Sequence, residues 1–128
     1  MNRAKNLLAV VALVEGATGL ALMVAPVIVG QLLFGSDLDG AGVIVARVAG
    51  IVLFSFALTC GAAGRGGQPK AGLIGMLAYN LMVGAYFAFV GLAGAQVGVL
   101  LWPAAVLHVV VAAIFVGTLR NSQSEHST

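Results

Sequence analysis

The sequence predicts an all-α, polytopic membrane protein in which four transmembrane helices form an antiparallel bundle with both termini in the cytoplasm. Two observations support this prediction. Of the 128 residues, 61% are hydrophobic and only 8% are charged, whereas a water-soluble domain carries roughly 25% charged residues. The few charges also stand between uncharged runs that are long enough to span a bilayer. A transmembrane β-barrel would instead show short segments that alternate apolar and polar residues, and the chain lacks them.

The uncharged runs predict the number and the limits of the helices. Runs of 21, 17 and 49 residues without Asp, Glu, Lys or Arg follow Glu15, Arg47 and Lys70. Because about 20 apolar residues span the bilayer, the longest run must hold two helices, with a turn at the glycines around Gln96. The predicted helices are residues 6–33, 41–63, 71–93 and 97–119, within one domain of residues 1–120. The polar residues 121–128 are predicted to form a disordered cytoplasmic tail.

The positions of lysine and arginine predict the orientation. Arg3 and Lys5 precede the first helix, Arg65 and Lys70 lie between the second and the third, and Arg120 follows the fourth. By the positive-inside rule, both termini and the middle loop lie in the cytoplasm, and we expect the protein in the inner (cytoplasmic) membrane. The first apolar stretch is longer than the core of a signal peptide, so we predict that it is retained as a helix.

Small side chains at four-residue spacing mark the surfaces through which membrane helices approach each other closely. The second predicted helix carries Gly42, Ala46 and Gly50 at this spacing, and the first carries Ala17, Ala21 and Ala25.

One strongly polar side chain stands near the middle of each predicted helix: Glu15, Arg47, Asn80 and His108. Because an ionisable group costs about 2.5–3.5 kcal/mol to insert into the bilayer, we expect each to have a partner or a function. At a rise of about 1.5 Å per residue, three of them lie roughly 13–18 Å from the cytoplasmic helix ends, and Arg47 lies at about 25 Å. These depths predict a polar chamber in the bundle, lined by Glu15, Thr18, Arg47, Ser55, Asn80, Tyr86 and His108.

These polar residues leave several interpretations open. Glu15 and Arg47 form an ion pair that fixes the helix packing, or Glu15 is a substrate or proton site, or Arg47 extends to the lipid head groups. His108 is a hydrogen-bonded residue of the bundle or a ligand contact. Haem bound by two histidines of one chain is excluded, because His126 lies in the tail. Cys60 is the only cysteine and zinc would lack ligands, so we predict no metal and no cofactor.

No catalytic motif is present. The chain has no G-x-S-x-G sequence, and both of its aspartates, Asp37 and Asp39, lie in one predicted loop. The glycine-rich segment 64–70 lacks the Lys-Ser/Thr pair of a phosphate-binding loop. A net charge of +2 is too small for a nucleic-acid-binding surface. The sequence therefore favours a protein that is not an enzyme.

Two resemblances to known families are visible in the sequence. The segment LLAVVALVEGATGLAL at 7–22, the segment ARVAGI at 46–51 and the polar fourth helix look like the DoxX-like group of small four-helix bacterial membrane proteins. This resemblance implies an accessory subunit of a quinone- or thiol-linked redox enzyme, with a role for Arg47 alone. Separately, the segment EGATG at 15–19 is similar to the first helix of small multidrug-resistance transporters. That resemblance implies that Glu15 exchanges protons for a cationic substrate.

The sequence thus predicts a small accessory or interaction subunit. Its polar cluster holds the bundle together or binds a small polar or quinone-like ligand, and its partners are the lipid bilayer and another protein or further copies of the chain. The alternatives are a proton-coupled small-molecule transporter that uses Glu15 and, third, a membrane-embedded enzyme with His108 and Glu15 as acid and base.

Overall fold

The computed structural model describes residues 2–66, 69–94 and 96–124, which form an all-α bundle. Over these residues there are five helices: α1 (Asn2–Val24), α2 (Pro26–Phe34), α3 (Gly40–Arg65), α4 (Pro69–Ala93) and α5 (Leu101–Ser124). Four of them, all except α2, are long and apolar enough to cross a membrane. The predicted helical class and the presence of four helices long and apolar enough to span a membrane are confirmed, and they indicate a multi-pass protein whose surface suits a lipid bilayer.

The prediction of one helix over residues 6–33 is wrong, because the chain leaves the helical conformation at Ala25 and forms α1 and α2. Ala25 has φ −132° and ψ 55°. The cause is Pro26, whose ring disfavours the helical conformation at the residue before it. Its fixed φ and missing N–H suit the first position of the next helix. The helix α2 is capped by Gly35, which follows its last residue, has φ 68° and donates its N–H to the Gln31 carbonyl.

The last helix begins later than predicted, at Leu101. The residues before it bind the end of α2 instead of extending α5. The Gly98 N–H donates to the Leu33 carbonyl at 2.9 Å, and the Leu100 N–H donates to the Leu32 carbonyl at 2.8 Å. These bonds satisfy carbonyls that the end of a helix leaves without a partner. The connection therefore attaches α2 to the start of α5.

The other helix boundaries lie close to those predicted, with one difference in the tail. The helix α3 begins after Asp39, whose side chain accepts a 2.7 Å hydrogen bond from the Gly42 N–H and caps the helix. The helix α5 continues to Ser124, so residues 121–124 of the predicted disordered tail are helical. Residues 125–128 of that tail lie outside the described residues.

Two helix pairs build the bundle: α1 packs along α3, α4 packs along α5, and α4 contacts both α3 and α1. The backbones of α1 and α3 approach closely at Gly19 and Gly50, where a Cβ on Gly50 would lie 2.6 Å from the Gly19 carbonyl oxygen. One half of the bundle is filled by a buried apolar core, formed by Leu8, Val11, Ala12, Ala57, Cys60, Leu73, Met76 and Phe115.

Candidate functional site

Beyond this core, the bundle surrounds a partly open cavity of about 440 Å³. All five helices contribute to its wall, which is mostly aliphatic and aromatic. The polar side chains on the wall are Glu15, Thr18, Tyr79 and His108. The volume lies within the range of roughly 300–1,000 Å³ that is typical of small-molecule sites, and an apolar wall with a few polar groups is their usual composition.

Glu15 on α1 is hydrogen-bonded to Tyr79 on α4. The Tyr79 hydroxyl donates to Glu15 Oε2 at 3.0 Å, and the Glu15 side chain is only 5% exposed. The other carboxyl oxygen, Oε1, has no hydrogen-bond partner among the described residues. Among the described residues, every fully buried side-chain nitrogen or oxygen has a hydrogen-bond partner. Oε1 lacks one and is therefore not fully buried. Since Glu15 lines the cavity, Oε1 borders the open space.

Asn80 and His108 form a second hydrogen-bonded pair, between α4 and α5. Asn80 Nδ2 donates to the Met76 carbonyl at 2.8 Å, which fixes the orientation of the amide. The amide oxygen then accepts a hydrogen bond from His108 Nδ1, also at 2.8 Å. We therefore assign the proton of the neutral imidazole to Nδ1, which leaves Nε2 as a hydrogen-bond acceptor. His108 is half-buried and lines the cavity, and its Nε2, which has no hydrogen-bond partner among the described residues, is not fully buried. We infer that Nε2 faces the same cavity as Glu15 Oε1.

Aromatic contacts hold the His108 ring in place. Tyr79 meets it edge to face with ring centres 5.6 Å apart, and Phe87 does so at 5.8 Å. Such contacts contribute about 0.5–1.5 kcal/mol each beyond the buried area. On its other side, Tyr79 packs against Phe56 of α3 at 5.8 Å. The Tyr79 side chain thus contacts α1, α3 and α5 at one level of the bundle.

Of the seven residues predicted to share a chamber, the structure brings Glu15, Asn80 and His108 together. Thr18 also borders the cavity, and its hydroxyl donates to the Val14 carbonyl of its own helix at 3.0 Å. The prediction left out Tyr79, which connects the two hydrogen-bonded pairs. A signal for it was present in the sequence, because a tyrosine far from the helix ends is unusual in membrane helices, where tyrosines concentrate at the interfaces.

Arg47, Ser55 and Tyr86 lie on exposed helix faces and do not line this cavity. Ser55 donates to the Ile51 carbonyl of its own helix at 2.8 Å, and Tyr86 is 61% exposed. Arg47 and Glu15 form no ion pair; the carboxyl group accepts the Tyr79 hydrogen bond instead. The expected convergence of all seven residues therefore needs correction. Depth along a helix axis does not determine the direction in which the side chain points.

The described residues contain no group of three His, Cys, Asp or Glu side chains that is placed to hold a metal ion. Comparisons of the chain with protein-family models, with curated proteins and with solved structures find no match. The resemblances to DoxX-like proteins and to small multidrug-resistance transporters stay predictions from the sequence.

Proposed function

We propose that the protein is a small accessory or interaction subunit of the inner membrane that binds a quinone-like ligand, with an apolar body and a small polar head, in its intramembrane cavity. One observation carries this proposal: Glu15 and His108, each with one polar atom that has no hydrogen-bond partner among the described residues, line a cavity whose wall is otherwise almost entirely apolar. Apolar walls bind the body of such a ligand, and a few fixed polar groups orient its head. The accessory role is supported by the resemblance of the sequence to DoxX-like proteins.

A ligand that binds only the folded state shifts the unfolding equilibrium toward that state. We therefore expect decylubiquinone, a quinone with an alkyl tail, to raise the unfolding temperature of the detergent-solubilised protein by several degrees. Unfolding is measured with a thiol-reactive dye, because Cys60 is the only cysteine of the chain and is buried.

Two alanines of α1 provide a matched pair of variants for this experiment. Ala21 and Ala17 are both exposed and lie one turn apart, but only Ala21 borders the cavity. Ala21→Trp is expected to abolish the stabilisation by the quinone, and Ala17→Trp is expected to retain it. Equal stabilisation of both variants, or no stabilisation of the original protein, would show that the cavity does not bind such a ligand.

We further propose an antiparallel arrangement of the spanning helices with both termini in the cytoplasm, supported by the positions of lysine and arginine. Gly40 and Gly66 lie at opposite ends of α3 and are both exposed. With Cys60 replaced by alanine, Gly40→Cys is expected to react with a membrane-impermeant thiol reagent in intact cells. Gly66→Cys is expected to react only after permeabilisation, and the reverse pattern would refute this orientation.

A further inference from the structure

A second space, a groove of about 640 Å³, lies beside the cavity on the outer side of α3 and α4. Its wall includes Val52 and Met82, whose side chains are exposed on the helix faces that would contact lipid. Five residues border both spaces: Leu22, Leu53, Tyr79, Val83 and Phe87. The groove therefore adjoins the cavity and opens toward the side of the bundle, where the bilayer lies in a membrane-spanning protein.

The protonation of His108 determines which polar heads suit the cavity. Because Asn80 Oδ1 accepts the proton of Nδ1, the Nε2 atom accepts hydrogen bonds and does not donate them. The carbonyl and ether oxygens of an oxidised quinone are acceptors only, so they form no hydrogen bond with Nε2, and the apolar wall alone holds such a head beside His108. A hydroxyl group donates to Nε2. The same hydroxyl oxygen also accepts a hydrogen bond from Glu15 Oε1 when that oxygen is protonated, since a hydroxyl has one proton to donate and lone pairs that accept.

We propose that the ligand is a lipid-soluble phenol whose hydroxyl donates to His108 Nε2 and whose hydrocarbon tail lies in the groove between α3 and α4. This inference rests on the proposed function, because it names the ligand class of the same cavity. A phenol ring fits the position between the two spaces, where the rings of Tyr79 and Phe87 form part of the wall. The ligand reaches the cavity sideways from the bilayer, so its tail never crosses water.

Two compounds that differ by one methyl group test the role of the hydroxyl. para-Dodecylphenol carries the donor, and its methyl ether, para-dodecylanisole, does not. The full chain is held in detergent micelles, and the unfolding temperature is followed through Cys60 as the mole fraction of each compound rises. The phenol is expected to stabilise the protein at about three- to tenfold lower concentration, the contribution of one hydrogen bond between neutral groups.

A variant of His108 identifies the acceptor atom. His108→Asn removes Nε2 but keeps an N–H that reaches the Asn80 amide oxygen. This variant is expected to bind the phenol and the ether at the same concentration. Its binding of the ether shows that the cavity is still folded, and a phenol preference retained in this variant would refute the assignment to Nε2. The comparison of the two compounds on the original protein needs no variant, so it decides the role of the hydroxyl even where His108→Asn does not fold.

A second pair of variants tests the position of the tail. Ala49 is exposed and lines the groove, whereas Ala78 is exposed on α4 and lines neither space. Ala49→Trp is expected to weaken the binding of dodecylphenol about tenfold and to leave the binding of tailless para-cresol unchanged. Ala78→Trp is expected to change neither.

The outcomes separate this inference from the proposed function. Equal binding of the phenol and the ether by the original protein overturns the hydroxyl assignment and leaves the cavity as a ligand site. Unchanged binding of dodecylphenol in Ala49→Trp overturns the position of the tail. If neither compound stabilises the protein and decylubiquinone also fails, both the inference and the proposed function are refuted.

Discussion

Gly50→Ala is expected to lower the free energy of unfolding by about 3 kcal/mol, the upper end of the usual cost of overpacking. A Cβ at this position would lie 2.6 Å from the Gly19 carbonyl oxygen and 2.9 Å from the Leu22 Cβ. The carbonyl belongs to the backbone of α1, so it moves away only if α1 and α3 separate. Because lipid tails are as apolar as the side chains of a helix, close packing rather than exclusion from water holds such helices together.

Gly117→Ala provides the control. Gly117 lies inside α5, and among the described residues no atom outside its own stretch of helix stands within 4 Å of the position of an added Cβ. Alanine is favoured over glycine within a helix by roughly 0.5–1 kcal/mol, so this variant is expected to be at least as stable as the original protein. Stability is measured in detergent through the reaction of Cys60 with a thiol dye. Equal stability of the Gly50 and Gly117 variants would contradict the close contact between α1 and α3.

The contact at Gly50 shows how well the four-residue spacing of small side chains predicts where two helices touch. The four-residue spacing pointed to Gly50 on α3, but on α1 it pointed to Ala17 and Ala21, which are exposed. On α1, the close contact with Gly50 is formed by Gly19 instead. Glycine and alanine are so frequent in α1 that several overlapping faces show the pattern, and spacing alone does not distinguish among them.

The membrane-spanning helices were predictable because a spanning helix needs a run of about 20 residues with few charges, and charges are scarce and grouped in this chain. The break at Ala25 was not predicted, since the uncharged run continues past it. Hydropathy reports how favourably a residue transfers from water into lipid, and it contains no information about backbone geometry. Pro26 has its effect on backbone geometry, so its position within the run was the signal for two helices.

The depth of the site residues along the helix axes was predictable from the sequence, but the direction in which each side chain points was not. Counting along the axes placed Glu15, Asn80 and His108 near one level; Glu15 and His108 line the cavity, and the buried Asn80 bonds His108 from behind it. Arg47 and Tyr86 lie on exposed faces. In a soluble helix, an apolar stripe shows which face is buried. In a membrane helix both faces are apolar, so this indication of rotation is missing, and only the polar contacts of the folded bundle supply it.

Asn80→Ala is expected to lower the free energy of unfolding by about 2–3 kcal/mol. The Asn80 side chain is 1% exposed and bonds both the Met76 carbonyl and His108 Nδ1. Its removal leaves His108 Nδ1 without a partner, whether or not that atom keeps its proton, which costs about 1–3 kcal/mol, and it opens a small void. Thr118→Val is the control, because the Thr118 hydroxyl bonds only within its own helix and the residue lines neither the cavity nor the groove, and a change of less than about 0.5 kcal/mol is expected.

The same Asn80 variant separates the structural role of the amide from its effect on the His108 proton. Without the acceptor at Nδ1, the proton is free to move to Nε2, which then donates a hydrogen bond into the cavity. Asn80→Ala is therefore expected to lose the preference for dodecylphenol over its methyl ether, although His108 itself is unchanged. Thr118→Val should keep that preference. A phenol preference that survives in Asn80→Ala would mean that Asn80 does not fix the proton of His108, whatever the loss of stability.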